Sequence, residues 1–381
     1  MGEKMNSDIR HKLKNIEITG FKSIGKKQSI DFSDINVLIG ANGVGKSNLV
    51  SFFQLLNRLA EEQLQVFIGK QGYADSILHY GTKTTDRFSA RLSFVNEVKS
   101  ILHYEFALVH SYAGQMMFAY ENVDNNAFIM GTQKKARPST IGSGHAESKL
   151  FGQEASRKAT DVLALLSKIK AFQFHDTSDR SLIRQPGMIQ DNRFLLSDGS
   201  NLSSFLYQMK RSKTSASYYK RIVNRIGEIM PQFSDFVLEP LMDNPAMIRL
   251  DWKHKRKEHI FGVNQISDGS LRFMALATLL LQPPDSLPNV IVIDEPELGL
   301  HPEALIDLVG MIKIAAQNCQ IILSTQSSFL LDFFNVNDII VVETKDDSTV
   351  FNRLDQDKLT EWVKDYTMSE LWEKNLIGGR P

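Results

Sequence analysis

The stretch Gly40-Ala41-Asn42-Gly43-Val44-Gly45-Lys46-Ser47 fits the pattern G-x-x-x-x-G-K-[ST] at every fixed position. Glycines let backbone N–H groups turn inward around phosphate oxygens, and a helix starting at the lysine adds its positive N-terminal end. Lys46 is expected to bridge the β- and γ-phosphates of a nucleoside triphosphate and the Ser47 hydroxyl to ligate Mg²⁺, with Asn48 continuing the binding stretch. A glycine turn alone could mimic the pattern. Here the apolar run Ile35–Ile39 precedes it as a buried strand would, and Leu49, Phe52, Phe53, Leu56 and Leu59 follow at helical spacing.

A second constellation is Val290-Ile291-Val292-Ile293-Asp294-Glu295-Pro296, four apolar β-branched residues followed by two acids. A buried parallel strand places its polar residues at its carboxyl end, where ligands of such sheets sit. Asp294 is expected in the Mg²⁺ shell, and Glu295 as the base that polarises an attacking water. A third is Ile266-Ser267-Asp268-Gly269-Ser270, which opens the helix before that strand. Ser267 reads as an N-cap. With one phosphate loop in the chain, the same helix start could also serve the nucleotide of a partner subunit.

These residues need elements to hold them. Residues 13–65 read as strands, a glycine-rich turn and a helix; Phe88–Phe94 and Leu102–Val109 alternate as antiparallel strands do. Residues 131–160 are polar and read as a loop running into a helix. Helices are expected at about 201–211 and 216–230, with short strands near 233–239 and 246–252. From 263 to 343 helices and strands alternate, which implies a parallel sheet with crossover helices. The predicted organisation is one nucleotide-binding unit over 1–381, with lobe I from 1–130 and 263–381. An inserted helical and β lobe fills about 131–262.

Composition bounds the function. The chain has 381 residues with 44 basic and 44 acidic side chains, so no global positive charge coats nucleic acid, although a local patch remains open. At 42% hydrophobic and 23% charged it is ordinary globular material. Cys319 is the only cysteine, which excludes an intrachain disulfide and a cysteine zinc cluster and suits a reducing compartment. The longest apolar run, Phe273–Leu281, is about half of the ~20 residues a bilayer needs, and the first fifteen residues are polar without a signal core. A cytoplasmic protein is the expectation.

The order of these motifs resembles the ABC-class ATPase heads of the RecF and SMC group, and more narrowly a bacterial family of RecF-like ATPases. The resembling stretches are GANGVGKSNLVSFFQLLN, FHDTSD, QDNRFL, FVLEPL, ISDGSLRFMALATLLLQ, IDEPELGLHPEAL, STQSSFLLD and LWEKNLIGGRP, spread over nearly the whole chain. The resemblance implies an α/β P-loop NTPase of ABC-ATPase type, with a mixed sheet, crossover helices and an inserted antiparallel and helical lobe. It implies an ATPase that uses ATP and Mg²⁺ and homodimerises on ATP. By the same resemblance Asn42 touches the γ-phosphate, and Lys22, in Gly20-Phe21-Lys22-Ser23, lies near the nucleotide. Ser267 and Gly269 form the signature that closes on the opposite protomer's ATP, and the Glu297–His301 loop links the two active sites. Two positions depart from the pattern: Gln326 stands at a switch position where many relatives have His, and Asp268 replaces the signature's usual first glycine. A lobe-linking glutamine is also implied, and no position in the sequence stands out for it.

Nine histidines show no metal spacing such as H-x-x-x-H, and His175-Asp176-Thr177-Ser178-Asp179 reads as a solvated turn or lobe contact rather than a metal loop. Too little chain follows Thr325 for a fused nuclease. From Gly199 to Gly227 there is no acid, while Lys210, Arg211, Lys213, Lys220, Arg221 and Arg225 fall there with Tyr207, Tyr218 and Tyr219. Lys253, Lys255, Arg256 and Lys257 add a basic turn. Such a stripe can track a DNA backbone, or it can be a solvated face. The functional expectation is an ATP-driven switch of DNA or partner binding, in DNA repair and maintenance or in genome defence with a separately encoded effector. The alternatives are the nucleotide-binding subunit of a membrane transporter, against which Gln326 and the insertion argue, and an ATP-sensing regulator of a separate effector.

Overall fold

Period-two burial organises the central sheet. In the phosphate-loop strand Ile35–Ile39, Val37 and Ile39 enter one hydrophobic core and Leu38 the other. Ile291 and Ile293 against Val290 and Val292 do the same in the acid strand Val290–Asp294, and Ile321 and Leu323 against Ile322 in the switch strand Gln320–Thr325. Burial on both faces is what a parallel sheet requires, and it explains why these strands read as unbroken apolar runs. A computed structural model describes residues 11–111, 114–129, 132–134, 139–152 and 156–380. The first ten residues, Pro381 and parts of the polar 131–160 stretch lie outside the described residues.

The central sheet runs in the order Ser348–Arg353, Ile339–Lys345, phosphate-loop strand, switch strand, acid strand and Ile169–Phe172, all parallel except the first. Register aligns Asp294 with Ser324 and Thr325 with Ile39. The carboxyl ends of the three motif-bearing strands therefore open at one edge. Ile339–Lys345 and Ser348–Arg353 form a hairpin whose turn, Asp346-Asp347, has both φ angles positive (48° and 58°), as a two-residue turn matched to strand twist demands.

A second, antiparallel sheet holds Gln28–Asp31, His11–Thr19, Arg87–Asn96, Ile101–His110 and Met116–Ile129 in that order, with Thr132–Lys134 and Ser139–Gly142 on the last. The helix Lys46–Leu59 lies between the sheets: Leu49, Phe52, Phe53 and Leu56 share a core with Ile16, Phe88 and Phe106 on one side and Leu38 and Val292 on the other. On the opposite face of the central sheet the helices Asp268–Leu280 and Pro302–Ala315 share a core with the insertion helices Leu202–Arg211 and Ala216–Ile229. Among the described residues no helix is long and apolar enough to cross a membrane.

The sequence boundary of the inserted lobe differs from the structure. Ile169–Phe172, inside the stretch assigned to the insertion, is the edge strand of the central sheet and pairs in parallel with the acid strand. The helix before it, Arg157–Ser167, packs into the same core as the phosphate-loop helix. Four residues, IKAF, carry too little periodicity to reveal a strand whose sheet partner lies more than a hundred residues away.

Candidate nucleotide site

The phosphate loop is braced from outside before it can hold anything inside. Gly45 has φ 108°, and a Cβ there would sit 2.2 Å from Thr349 Oγ1 and 2.5 Å from Ser23 Oγ, so glycine admits the brace. Thr349 donates to Val44 O at 2.7 Å and lies 2.7 Å from Ser23 Oγ, which accepts from Asn48 Nδ2 at 2.6 Å. Asn48 thus spends its amide on the brace. Inside the loop, Lys46 is 4% exposed and donates to Gly40 O at 2.6 Å and Ala41 O at 2.9 Å. Burial holds its pKa below the ordinary lysine value, against the opposing pull of Glu295, Asp294 and Glu297. Asn42 and Ser47 are exposed. Lys22, at φ 46°, donates to Ser51 Oγ at 2.7 Å and Gln71 Oε1 at 2.8 Å, with its pKa lowered by burial. It borders a cavity of about 570 Å³ with Ser23, Gly43, His79, Tyr80 and Thr349.

At the acid strand's end Asp294 is buried. One carboxylate oxygen accepts from Gln173 Nε2 at 3.3 Å, and the other is buried without a hydrogen-bond partner among the described residues. A buried carboxylate oxygen with no donor fits a hard cation, and the exposed Ser47 hydroxyl supplies the second oxygen expected of a Mg²⁺ site. Glu295 sits at φ 44°, uncommon for a residue with a side chain, with its N–H held by Ser324 O at 2.7 Å. Its Oε1 accepts from Gln326 Nε2. Glu297 accepts from Thr325 Oγ1 at 2.7 Å and Gln326 N at 2.8 Å, and burial raises its pKa above the ordinary glutamate value. The structure therefore brings Lys46, Asp294, Glu295 and Gln326 to one sheet edge.

The Ser267–Gly269 helix start is exposed at Ser267, whose hydroxyl accepts from Ser270 N at 3.3 Å and caps the helix Asp268–Leu280. A Cβ on Gly269 would lie 2.1 Å from Gly299 O, so glycine lets the Glu297–His301 loop pack against this helix. The carboxylate of Asp268 is matched by a cation: Arg184 donates to it at 2.8 Å and pulls its pKa below the ordinary aspartate value. Arg184 is 5% exposed and also donates to Thr177 O, Val263 O and Ile266 O.

Gln173, Arg272 and Arg184 bond to the motif residues and escaped sequence reasoning, while His175 was legible only as part of a turn or lobe contact. Gln173, following the edge strand, donates to Asp294 at 3.3 Å and accepts from Gln54 Nε2 at 3.0 Å. His175 donates to Asp294 O at 2.8 Å, which makes the FHDTSD stretch a lobe contact; among the described residues no group of three or more metal-ligating side chains gathers. Arg272 ties the Asp268–Leu280 helix to both neighbouring loops by donating to Phe174 O at 2.9 Å, His175 O at 3.0 Å and Leu298 O. Its signal was a lone arginine in an apolar helix. Arg184, matched to Asp268, carried no sequence signal.

The basic stripe is thinner than its sequence. Lys210 donates to Asp235 at 2.9 Å and Phe236 O at 3.0 Å, and Arg225 to Glu228 at 2.8 Å and Asp307 at 3.3 Å. Tyr219 is buried and hydrogen-bonded to Asp235 at 2.5 Å, so it is no stacking platform. Arg211 lies over Tyr207 and Arg221 over Tyr218, each at 5.2 Å, and with Lys213 and Lys220 they are exposed. Lys253, Lys255, Arg256 and Lys257 are exposed as well.

Comparison with known proteins adds a fold and a family. The SMC head domain with an extended coiled coil from Pyrococcus furiosus, bound to the C-terminal domain of ScpA, has a TM-score of 0.59 at 14% identity, covering 93% of this chain and 99% of that one. An SMC head bound to the C-terminal winged-helix domain of ScpA gives 0.57 at 16%, covering 92% and 99%. The Pyrococcus yayanosii SMC head with a coiled coil and joint gives 0.54 at 13%, covering 93% and 99%. Likeness at such identity shows the fold alone, that of the SMC head domains. No curated protein matches the chain. The family model described as "AAA domain, putative AbiEii toxin, Type IV TA system" matches residues 35–332, well over half of the chain. Because that span runs from the phosphate-loop strand through the acid and switch strands, the chain belongs to this AAA-domain family.

Proposed function

We propose that the protein is an ATPase that dimerises on ATP and switches the binding of DNA or a protein partner. The observation that carries this reading is the convergence of Lys46, Asp294, Glu295 and Gln326 at one sheet edge, with Gln326 bonded to the Glu295 carboxylate. Lys46 exchanges its carbonyl partners for β- and γ-phosphate oxygens, and Asn42 meets the γ-phosphate. Ser47 and Asp294, with Gln173 beside them, would hold Mg²⁺, which would supply positive charge against the developing phosphate charge. The nucleoside takes the cavity beside Gly43, bordered by Tyr80 and His79. Glu295 accepts a proton from water, and Gln326 fixes the carboxylate's direction.

Ser267, exposed, and Gly269, half-buried against the 297–301 loop, face a second protomer in this reading. Arg184 offsets the charge Asp268 brings to that surface. Arg211, Lys213, Lys220 and Arg221 form the DNA-facing candidate set. The family description, which includes a toxin of a type IV toxin–antitoxin system, favours genome defence with a separately encoded partner over repair. The deciding experiment is light scattering of the Glu295→Gln protein. It should shift from monomer to dimer only with Mg-ATP, while turnover falls about 10²–10⁴-fold, the scale of losing a general base. Normal turnover removes Glu295 from the chemistry, and an unmoved mass removes the trans role of Ser267.

A further inference from the structure

The segment Gly378-Gly379-Arg380 belongs to the LWEKNLIGGRP stretch, for which the nucleotide site so far has no use. Its backbone nevertheless reaches the phosphate loop: Ala41 N donates to Gly379 O at 2.9 Å. The carbonyl of the same Ala41 accepts from Lys46 Nζ at 2.9 Å, so the residue is gripped from both sides. Gly378 and Gly379 have φ of 81° and 82°, and a Cβ on Gly379 would meet Val341 Cγ1 at 2.7 Å. A Cβ on Gly40 would lie 2.2 Å from Val342 O. Strand Ile339–Lys345, Gly40-Ala41 and Gly379 thus stack at backbone contact, a spacing that side chains would break. Arg380 anchors the segment by lying over Trp372 at 5.9 Å and donating to Glu373 O.

The two grips on Ala41 differ in permanence. Lys46 cannot keep the Gly40 and Ala41 carbonyls and also neutralise phosphate. Once it turns to the nucleotide, Gly379 O is the hydrogen-bond partner that still holds the Ala41 backbone. We propose that Gly379 is a positioning residue of the nucleotide site: its carbonyl keeps the entrance of the phosphate loop in its receiving shape while Lys46 changes partners. This rests on the ATP reading above. Asn42, the γ-phosphate contact in that reading, follows Ala41 directly, and Lys46 serves the β- and γ-phosphates. The strap therefore matters more for the triphosphate than for the diphosphate.

The test is calorimetric titration of Mg-ATP and Mg-ADP into the wild type, Gly379→Ala, and a chain lacking residues 378–381, with thermal midpoints taken without nucleotide. The expected result is about five- to tenfold weaker ATP binding, the scale of one backbone hydrogen bond, with ADP weakened less than about twofold, while the strained Gly379→Ala chain melts lower without nucleotide. Equal losses for both nucleotides would make the segment purely structural and overturn the proposal, as would unchanged ATP affinity. If Gly379→Ala does not fold, the shortened chain, which introduces no clash, carries the same comparison. A wild type that binds neither nucleotide overturns the ATP reading and the strap together. Loss of ATP binding in Lys46→Ala alongside full retention in both strap variants overturns the strap alone.

Discussion

Replacing Gln326 by Ala removes one contact, the amide N–H donated to Glu295 Oε1. A hydrogen bond to an ionised group contributes about 1.5–3 kcal/mol, which converts to roughly 10- to 150-fold in rate. The structure favours the lower end. Glu295 keeps its main-chain restraint, the N–H held by Ser324 O at 2.7 Å, and Glu297 still fixes the switch backbone through the amide of residue 326. Only the direction of the carboxylate is freed, so about 10- to 30-fold slower phosphate release is expected in single-turnover assays at saturating Mg-ATP, with nucleotide affinity nearly unchanged. Because both residues act through one carboxylate, the Gln326→Ala/Glu295→Gln double variant should be within about threefold of Glu295→Gln alone. Gln326→His should restore much of the rate and add a pH dependence near 6.5, which glutamine cannot give. Turnover within twofold of wild type in Gln326→Ala, or losses that multiply in the double variant, would refute the argument.

Two further outcomes follow from named contacts. Arg184 holds the pKa of Asp268 below its ordinary 3.8, so the pair's stabilisation is fully present above that value and fades as pH falls through the lower folded-state value. Asp268→Asn should then be slightly less stable than wild type in urea at pH 7, by no more than a surface pair contributes because the Asp268 side chain is 66% exposed, and the gap should close in strong acid. For DNA, Lys213→Glu with Lys220→Glu should weaken duplex binding and reduce the salt slope by about 0.9 per lost phosphate contact; an unchanged slope returns the stripe to a solvated face. Lys210 is unsuited to this test, since reversing it also breaks its pair with Asp235.

Much of the site was legible because its chemistry is local. The strand–loop–helix at 35–59 and the apolar run ending in Asp294-Glu295 each lie within a few residues of sequence, where hydrophobic period and glycine spacing speak directly. Their parallel sheet followed from alternation of helices and strands. The edge strand Ile169–Phe172 did not, because a four-residue strand is defined by its partner rather than by its own pattern. The basic stripe was overread for a related reason: the acids that occupy Lys210 and Arg225, namely Asp235 and Asp307, come from outside the segment.

The sequence by itself determined that this chain has a phosphate loop, an acid pair at a strand end and a capped serine-glycine helix, since each is written in contiguous residues. Only the tertiary structure decided what those pieces touch. The Glu295–Gln326 contact, the Arg184 that offsets Asp268, the Arg272 that ties one helix to two loops and the Gly379 carbonyl on Ala41 each join residues far apart in the chain. Hydrogen bonds and ion pairs act over a few ångströms, and that proximity is created by sheet register and packing rather than by any spacing along the sequence.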